Sequence, residues 1–538
     1  MHLLTTCLCK SPRACASLAM ITLSLAFGMH INFVAPYIPY VATNDHCANY
    51  GTAHSCTAAS FTQCRWFANI SRCDFADANC SAFATRAACG TATSSCDWDT
   101  TAKQCQHFVG LSVLDITIFA TVGIVAATLG SLVGGECYDV VGSRLTLVLA
   151  GGLNLAAGLF YHVGRGTNVF ALVVVGRTLH GFAAGICIGI VARYVSFVLS
   201  PEVASSLRAP LATEEPPAPS AAPFDLPLAQ VDKELRKGDV RALELLLQFV
   251  QAVVSAGIVV NLIYGAAAFP RPLPSAPPLE MEWRLHAYML MTILLGMAIL
   301  LLACLLPSAP SRSERDAIRT SGRADDIPMT PIGPGKVGLW IVPQLGRMAL
   351  LGAAMHLGGI QVLVLFGPGL LQQALPPGMD SLTTNLILQT VLLGVTLFAP
   401  LLAFVHPKTA VLAGVAVSIV GDSIAGGFML TQSGSDGVAG TLIGVLLVGV
   451  GFQLVAVAFT PASIACFPRA VHKYSIPVTQ SLSGFFSLLV SASYLPVIEA
   501  IPLDTTTQAQ GAAFFGFAVL SIIVGMLLLI FLERGDEV

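Results

Sequence analysis

The sequence predicts an all-α membrane protein of twelve transmembrane helices. Three observations carry that prediction. Of 538 residues, 55% are hydrophobic. Only 11% are charged, against about 25% in an ordinary soluble domain. The apolar residues also gather in long, nearly uninterrupted runs. A formal net charge of −3 leaves no basic excess for phosphates, which argues against a nucleic-acid partner.

A helix needs about 20 apolar residues to cross the hydrocarbon core. Twelve stretches meet that need: 15–41, 109–134, 144–163, 169–199, 243–268, 284–306, 346–371, 382–405, 409–431, 437–463, 475–499 and 510–532. Strands of a membrane barrel would be about 10 residues of alternating polarity. These runs are longer and apolar on both alternations, so they read as helices. The first is too long for a signal-peptide core and has no clear small-residue cleavage site.

Lys and Arg set the orientation. With both termini cytoplasmic, the inner segments hold Lys10, Arg13, Arg144, Arg347, Lys408, Arg469, Lys473 and Arg534, five more bases in 200–242 and five in 312–336. The short outer loops hold only Arg165, Arg271 and Arg284. The chain thus divides into spans one to four (1–200), a Pro-rich charged cytoplasmic insertion (201–242), spans five and six (243–306), a cytoplasmic inter-half loop (307–345) and spans seven to twelve (346–538). A charged loop at the midpoint of twelve spans predicts two six-helix halves, a layout of many secondary transporters.

The first outer loop, 43–108, contains eight of the fifteen cysteines: Cys47, Cys56, Cys64, Cys73, Cys80, Cys89, Cys96 and Cys105. The second four repeat the first four at an offset of 33 and then 32 residues, and Trp66 maps onto Trp98. This is a tandem duplication. An even count in a small polar loop reads as a disulfide framework, placed on the oxidising side. Zinc pairs usually sit closer in sequence. The pairing is not deducible. Asn69-Ile70-Ser71 is a glycosylation sequon on the same face. Cys137, Cys187, Cys304 and Cys466 lie in or beside spans, where a free Cys usually packs.

No soluble-enzyme motif is present. Gly335-Lys336 is followed by Val337, so it is not a phosphate loop, and ATP-driven pumping is disfavoured. No cofactor or metal is expected. The stretch after span two reads Gly135-Glu136-Cys137-Tyr138-Asp139-Val140-Val141-Gly142-Ser143-Arg144. Its glycines allow two helix ends to approach, and its carboxylate suits a helix N-terminus or a charge clasp. It resembles the loop motif of the major facilitator superfamily at Gly135, Asp139, Gly142 and Arg144; Val140 and Ser143 stand where the motif is basic.

Further matches are similar to the sugar porters of that superfamily. Span one contains Phe27-Gly28 followed by Val34 and Pro36, span four contains Gly176-Arg177 followed by Gly181, Gly185 and Tyr194, and span six opens with Trp283-Arg284. It ends in Pro307-Ser308-Ala309-Pro310-Ser311-Arg312, a degraded version of that family's closing motif. A cysteine-rich loop between spans one and two resembles that of the trypanosomatid hexose transporters. The resemblance implies the major facilitator fold, a plasma-membrane location and a carrier of a hexose or similar sugar.

It also implies sugar contacts. Gln251 of span five stands six residues before Gly257-Ile258, as the sugar-binding Gln of the family does. An amide both donates and accepts, which suits hydroxyls. Span seven departs from the pattern: Met355, His356 and Gln361 replace two Gln and an Asn, leaving His356 and Gln361 as candidates. Only Phe366 of the next pair is aromatic, beside Leu365. Asn385 and Gln389 are the polar candidates in span eight, and Thr460 stands near the place of the family's span-ten Trp.

Coupling candidates are His30, Arg177 and Asp422. Proton symporters of the family have an Asp where this chain has His30, and facilitative members have a neutral residue. His titrates near neutral pH, which makes protons a candidate co-substrate. Asp422 is an acid in mid-span, and intramembrane acids are functional candidates by default. The expected activity is facilitated diffusion of a hexose by alternating access. The alternatives are a proton-coupled or uniport carrier of another small solute (an inositol, amino acid or vitamin) and a non-transporting nutrient receptor.

The loop motif generates the first prediction. Asp139→Ala slows transport and leaves ligand binding largely intact, read by comparing flux with equilibrium binding. Lost binding with unchanged turnover contradicts that role.

Overall fold

The computed structural model describes residues 12–36, 64–67, 72–75, 96–99, 104–107, 113–166, 170–198, 249–268, 278–305, 341–375, 380–398, 407–431, 434–465, 472–503 and 506–533. Among them, 11 helices are long and apolar enough to cross a membrane. A shorter apolar helix, Ser381–Leu397, falls at span eight. The fold is the all-α, two-half arrangement expected.

Spans one to six are Pro12–Ile31, Val113–Val141, Ser143–Gly166, Phe170–Val198, Phe249–Ala268 and Pro278–Leu305. Span seven is two helices, Ile341–His356 and Ile360–Ala374. Spans nine to twelve are Pro407–Thr431, Gly434–Ala465, His472–Ala500 and Thr506–Glu533. Large apolar side chains such as Leu159, Leu301, Val519 and Ile530 point outward. A water-facing surface would be polar there, whereas lipid tolerates it.

Small residues let backbones meet where no hydrophobic drive exists between helices in lipid. A Cβ on Gly181, Gly185 or Gly189 of span four would strike the carbonyl oxygens of Gly123, Ala127 or Ser131 of span two. The stripe is thus a packing seam, four residues per step on both helices.

Several expected boundaries change, among them the start of span six, at Pro278 rather than 284, and the end of the first helix, at Ile31; two further changes shape the fold. Span two was expected to end near 134, with Gly135 to Arg144 as a loop. The helix instead continues to Val141, and span three begins at Ser143. Gly142, at φ 84°, forms the turn. Its N–H bonds the Tyr138 carbonyl at 3.2 Å, and its own carbonyl accepts from Thr146 N–H at 3.3 Å. A left-handed glycine lets one residue end one helix and cap the next. Asp139 is therefore a half-buried helical residue, and Arg144 is exposed in the first turn of span three.

Span seven was expected as one run. It breaks at Leu357-Gly358-Gly359, where Gly359 has φ 71°. The described backbone bonds across the break are Leu357 N–H to Ala353 O at 2.8 Å and Val362 N–H to Gly359 O at 3.0 Å. Such a break is tolerated at membrane depth only inside protein or beside a cavity.

The first loop contains two antiparallel hairpins, Cys64–Phe67 with Arg72–Phe75 and Cys96–Asp99 with Gln104–His107. Their registers correspond: Trp66 opposes Cys73, and Trp98 opposes Cys105. The duplication seen in sequence is a duplicated hairpin. Cys47, Cys56, Cys80, Cys89 and Asn69 lie outside the described residues, as do the insertion 201–242 and Cys466. Cys137, Cys187 and Cys304 are free thiols.

Gly359 generates a prediction. Gly359→Ala places an L side chain in the left-handed region, at a cost of about 1–2 kcal/mol. Its Cβ would also lie 2.8 Å from the Phe517 ring. Gly358→Ala meets Ser418 at a gentler 3.3 Å. The midpoint of thermal unfolding in detergent falls further for Gly359→Ala than for Gly358→Ala; equal midpoints contradict this account of the break.

Candidate functional site

A cavity lies between the two halves. Spans one, two, four and five line one wall, and spans seven, ten and eleven line the other. The cavity volume is about 120 Å³. About 10–15 Å³ suffices to admit one water, so the cavity has room for several. Phe27, Phe452 and Phe459 supply apolar surface, while Gln251, Gln361, Gln480, Ser483 and Ser487 supply polar groups. No Asp or Glu is among its described lining residues.

The break in span seven shapes one wall. His356 ends the first half-helix and Gln361 opens the second. The Gln361 amide donates to His356 Nδ1 at 2.7 Å. That nitrogen then accepts, so Nε2 holds the ring proton and bonds Ser483 Oγ of span eleven at 2.6 Å. Ser483 passes its own hydrogen to Met355 Sδ at 3.7 Å. The chain of donors leaves the Gln361 carbonyl as an acceptor. Across the cavity, Gln251 donates to Gln453 Oε1 at 3.3 Å, and Gln453 donates to Ser255 Oγ at 3.2 Å.

These last bonds join the halves near one end. Ser131 of span two and Ser481 of span eleven add a 3.3 Å contact. At the other end, Asn32 Nδ2 donates to the Val364 carbonyl at 2.8 Å. Asn32 is itself held: Asn261 donates to its backbone oxygen at 2.9 Å, and Tyr288 donates to Asn261 Oδ1 at 3.1 Å. Hydrogen bonds therefore bridge the halves on both sides of the cavity.

Arg177 is fully buried. Its Nη1 lies 2.9 Å from His30 Nδ1 and donates to the His30 carbonyl at 3.0 Å. The guanidinium carbon sits 5.7 Å from the Phe33 ring centroid and 5.9 Å from that of Phe119. Ring faces thus offset part of the cost of burying its charge. Among the described residues, Nε and Nη2 have no hydrogen-bond partner. His180 packs edge-on to His30, with ring centroids 4.6 Å apart. Gly123 makes room: a Cβ there would lie 2.6 Å from Arg177 Nε.

Gln251, His356, Gln361, His30 and Arg177 thus converge on one cavity. Asn385 and Gln389 are buried in span eight but are not among its lining residues. Asn385 Oδ1 instead packs against Gly367 of span seven. Thr460 is helical, and its side chain lies outside what is described. Asp422 is buried away from the cavity, in span nine. Sequence reasoning passed over Asn32, His180, Asn261, Gln453, Gln480 and Ser483. A single amide inside an apolar run was the available signal, because polar groups in spans are rare and face cavities or partners.

The two halves around this central cavity make a fold of the major facilitator type. The solved D-xylose–proton symporter superimposes with a TM-score of 0.59 at 13% identity, covering 96% of each chain. Residues 7–207 match the family described as sugar (and other) transporter. Glucose transporter 2C of Trypanosoma brucei brucei is 26% identical over 170 residues, 31% of this chain and 45% of that one. Membrane transporter D2 of Leishmania donovani is 27% identical over 173 residues, 30% of this chain and 31% of that one. The matched stretch spans less than half the length of these relatives. The chain thus shares its fold with the symporter and, over residues 7–207, is similar to sugar transporters.

The Arg177 pocket generates a prediction. Gly123→Ala overpacks the guanidinium and destabilises by about 1–3 kcal/mol. Gly152→Ala, whose Cβ meets nothing within 4 Å, is neutral or stabilising. Thermal unfolding of the two variants tests this; a Gly123→Ala protein as stable as Gly152→Ala contradicts the fit.

Proposed function

We propose that this protein carries a hexose or similar sugar across the plasma membrane by alternating access. The observation that carries this reading is the cavity between the halves, lined by amides and hydroxyls with no acid among its described lining. Sugar hydroxyls both donate and accept, as these groups do. The match to the sugar transporter family supports the substrate class.

Gln251, His356 and Gln361 are the first hydroxyl contacts, with Gln480 and Ser483 beside them. Gln251 bonds Gln453 and Gln361 bonds His356. Sugar exchanges these bonds for its own, so the polar groups stay paired throughout. The bridges at Asn32–Val364 and at Gln251–Gln453 then open alternately. Asn385 and Gln389 act by packing span eight rather than by touching sugar.

Both termini face the cytoplasm, and the duplicated hairpins form a disulfide-stapled, glycosylated outer cap with Asn69 as the acceptor. Transport is facilitated diffusion. While Arg177 donates to His30 Nδ1, that nitrogen cannot take a proton. Coupling through His30 would need that bond to break.

Labelled glucose uptake into liposomes, with and without a pH gradient, tests the reading. Uptake equilibrates and ignores the gradient. His356→Ala and Gln361→Ala each weaken half-saturation about two- to tenfold, the worth of one net hydrogen bond. Accumulation driven by the gradient would make the carrier a proton symporter. Absence of glucose flux in folded protein sinks the hexose reading.

A further inference from the structure

Asp422 lies outside the cavity and is fully buried, and among the described residues neither carboxylate oxygen has a hydrogen-bond partner. Leaving an acid so placed is costly, and such groups are normally paired. Ser418 stands one turn earlier on the same buried face of span nine. Residues four apart on a helix hold their Cβ atoms about 5–6 Å from each other. The Ser418 hydroxyl meets the break in span seven: the Cβ position of Gly358 lies 3.5 Å from both Ser418 Oγ and Ser521 Oγ. Gly451 of span ten closes on the same hydroxyl. Spans seven, nine, ten and twelve thus meet there.

The break adds oxygen atoms. Between the two backbone bonds that flank it, the carbonyls of residues 354–358 accept no described backbone hydrogen bond. The C-terminal end of a half-helix carries negative partial charge. One carboxylate, hydroxyls and unwound carbonyls make an all-oxygen set for a hard cation. A single carboxylate suits one positive charge rather than two. Broken helices of other carriers coordinate sodium in this way.

We propose that Asp422, Ser418, Ser521 and the unwound turn at 357–359 hold a sodium ion inside the C-terminal half. The ion fixes the break that places His356 and Gln361, and so sets sugar affinity. This last effect rests on the carrier reading above. The site lies within one half rather than between the two, so rocking of the halves does not carry the ion across. It is a resident ion.

Thermal unfolding of the purified full chain in choline chloride, titrated with NaCl, KCl or LiCl, tests the site without any flux. Sodium raises the midpoint saturably, while potassium does not. Asp422→Asn abolishes the rise, and Ser418→Ala and Ser521→Ala each raise half-saturating sodium about tenfold. Binding of radiolabelled sodium follows the same order. If Asp422→Asn fails to fold, the ion series on the unaltered protein and the two serine variants decide. Equal midpoints in all three salts, or a rise that persists in Asp422→Asn, overturn the proposal. A midpoint that responds to pH and not to sodium makes this a proton site and overturns it too. In liposomes, sodium on both faces lowers half-saturating glucose, and a sodium gradient drives no accumulation. Accumulation would overturn residency. Absent glucose flux with sodium binding intact would fault the sugar reading alone.

Discussion

Hydrocarbon offers a peptide group no hydrogen-bond partner, and the architecture follows from that constraint. Every span must be helical except where protein surrounds it. The interruption in span seven is therefore confined to the interior, where Phe517 covers Gly359 and Ser418 and Ser521 flank Gly358. The same interruption turns His356 and Gln361 toward each other across five residues. A continuous helix would hold them on a different spacing and would leave no unpaired carbonyls. The break both builds one wall of the cavity and opens an oxygen-rich corner behind it.

Arg177 illustrates the second cost of a membrane interior. A buried cation needs compensation. Here none of the described contacts supplies an acid: it comes from His30 and two aromatic faces. The fit depends on the missing side chain of Gly123. Span four is thus tied to spans one and two by charge chemistry at Arg177 and by backbone contact along Gly181, Gly185 and Gly189.

Much of the fold was legible because the bilayer imposes a length. The runs at 144–163 and 409–431 fall within helices Ser143–Gly166 and Pro407–Thr431. Span two was misjudged because the stretch from Gly135 to Val141 is polar and glycine-containing yet helical. Helical propensity and a single left-handed glycine outweighed local polarity. The duplicated hairpin was visible as a repeat of cysteines and Trp, since register is carried by short local pairs.

The sequence by itself determined the twelve apolar runs, the division into halves, the duplicated loop, and Gln251, His356 and Gln361 as polar candidates. The runs and the duplication are local properties, set by composition and spacing along the chain, and the three polar residues follow from the resemblance to sugar porters. Only the tertiary structure decided that Gln453 shares a hydrogen bond with Gln251, that Asn32 reaches Val364, and that Asn385 faces Gly367 rather than the cavity. It also separated Asp422 from His30 and Arg177, which had stood together as coupling candidates. Those facts depend on which helix faces meet, as Gln251 meets Gln453 across 202 residues and Asn32 meets Val364 across 332, and no local pattern encodes a meeting of that kind.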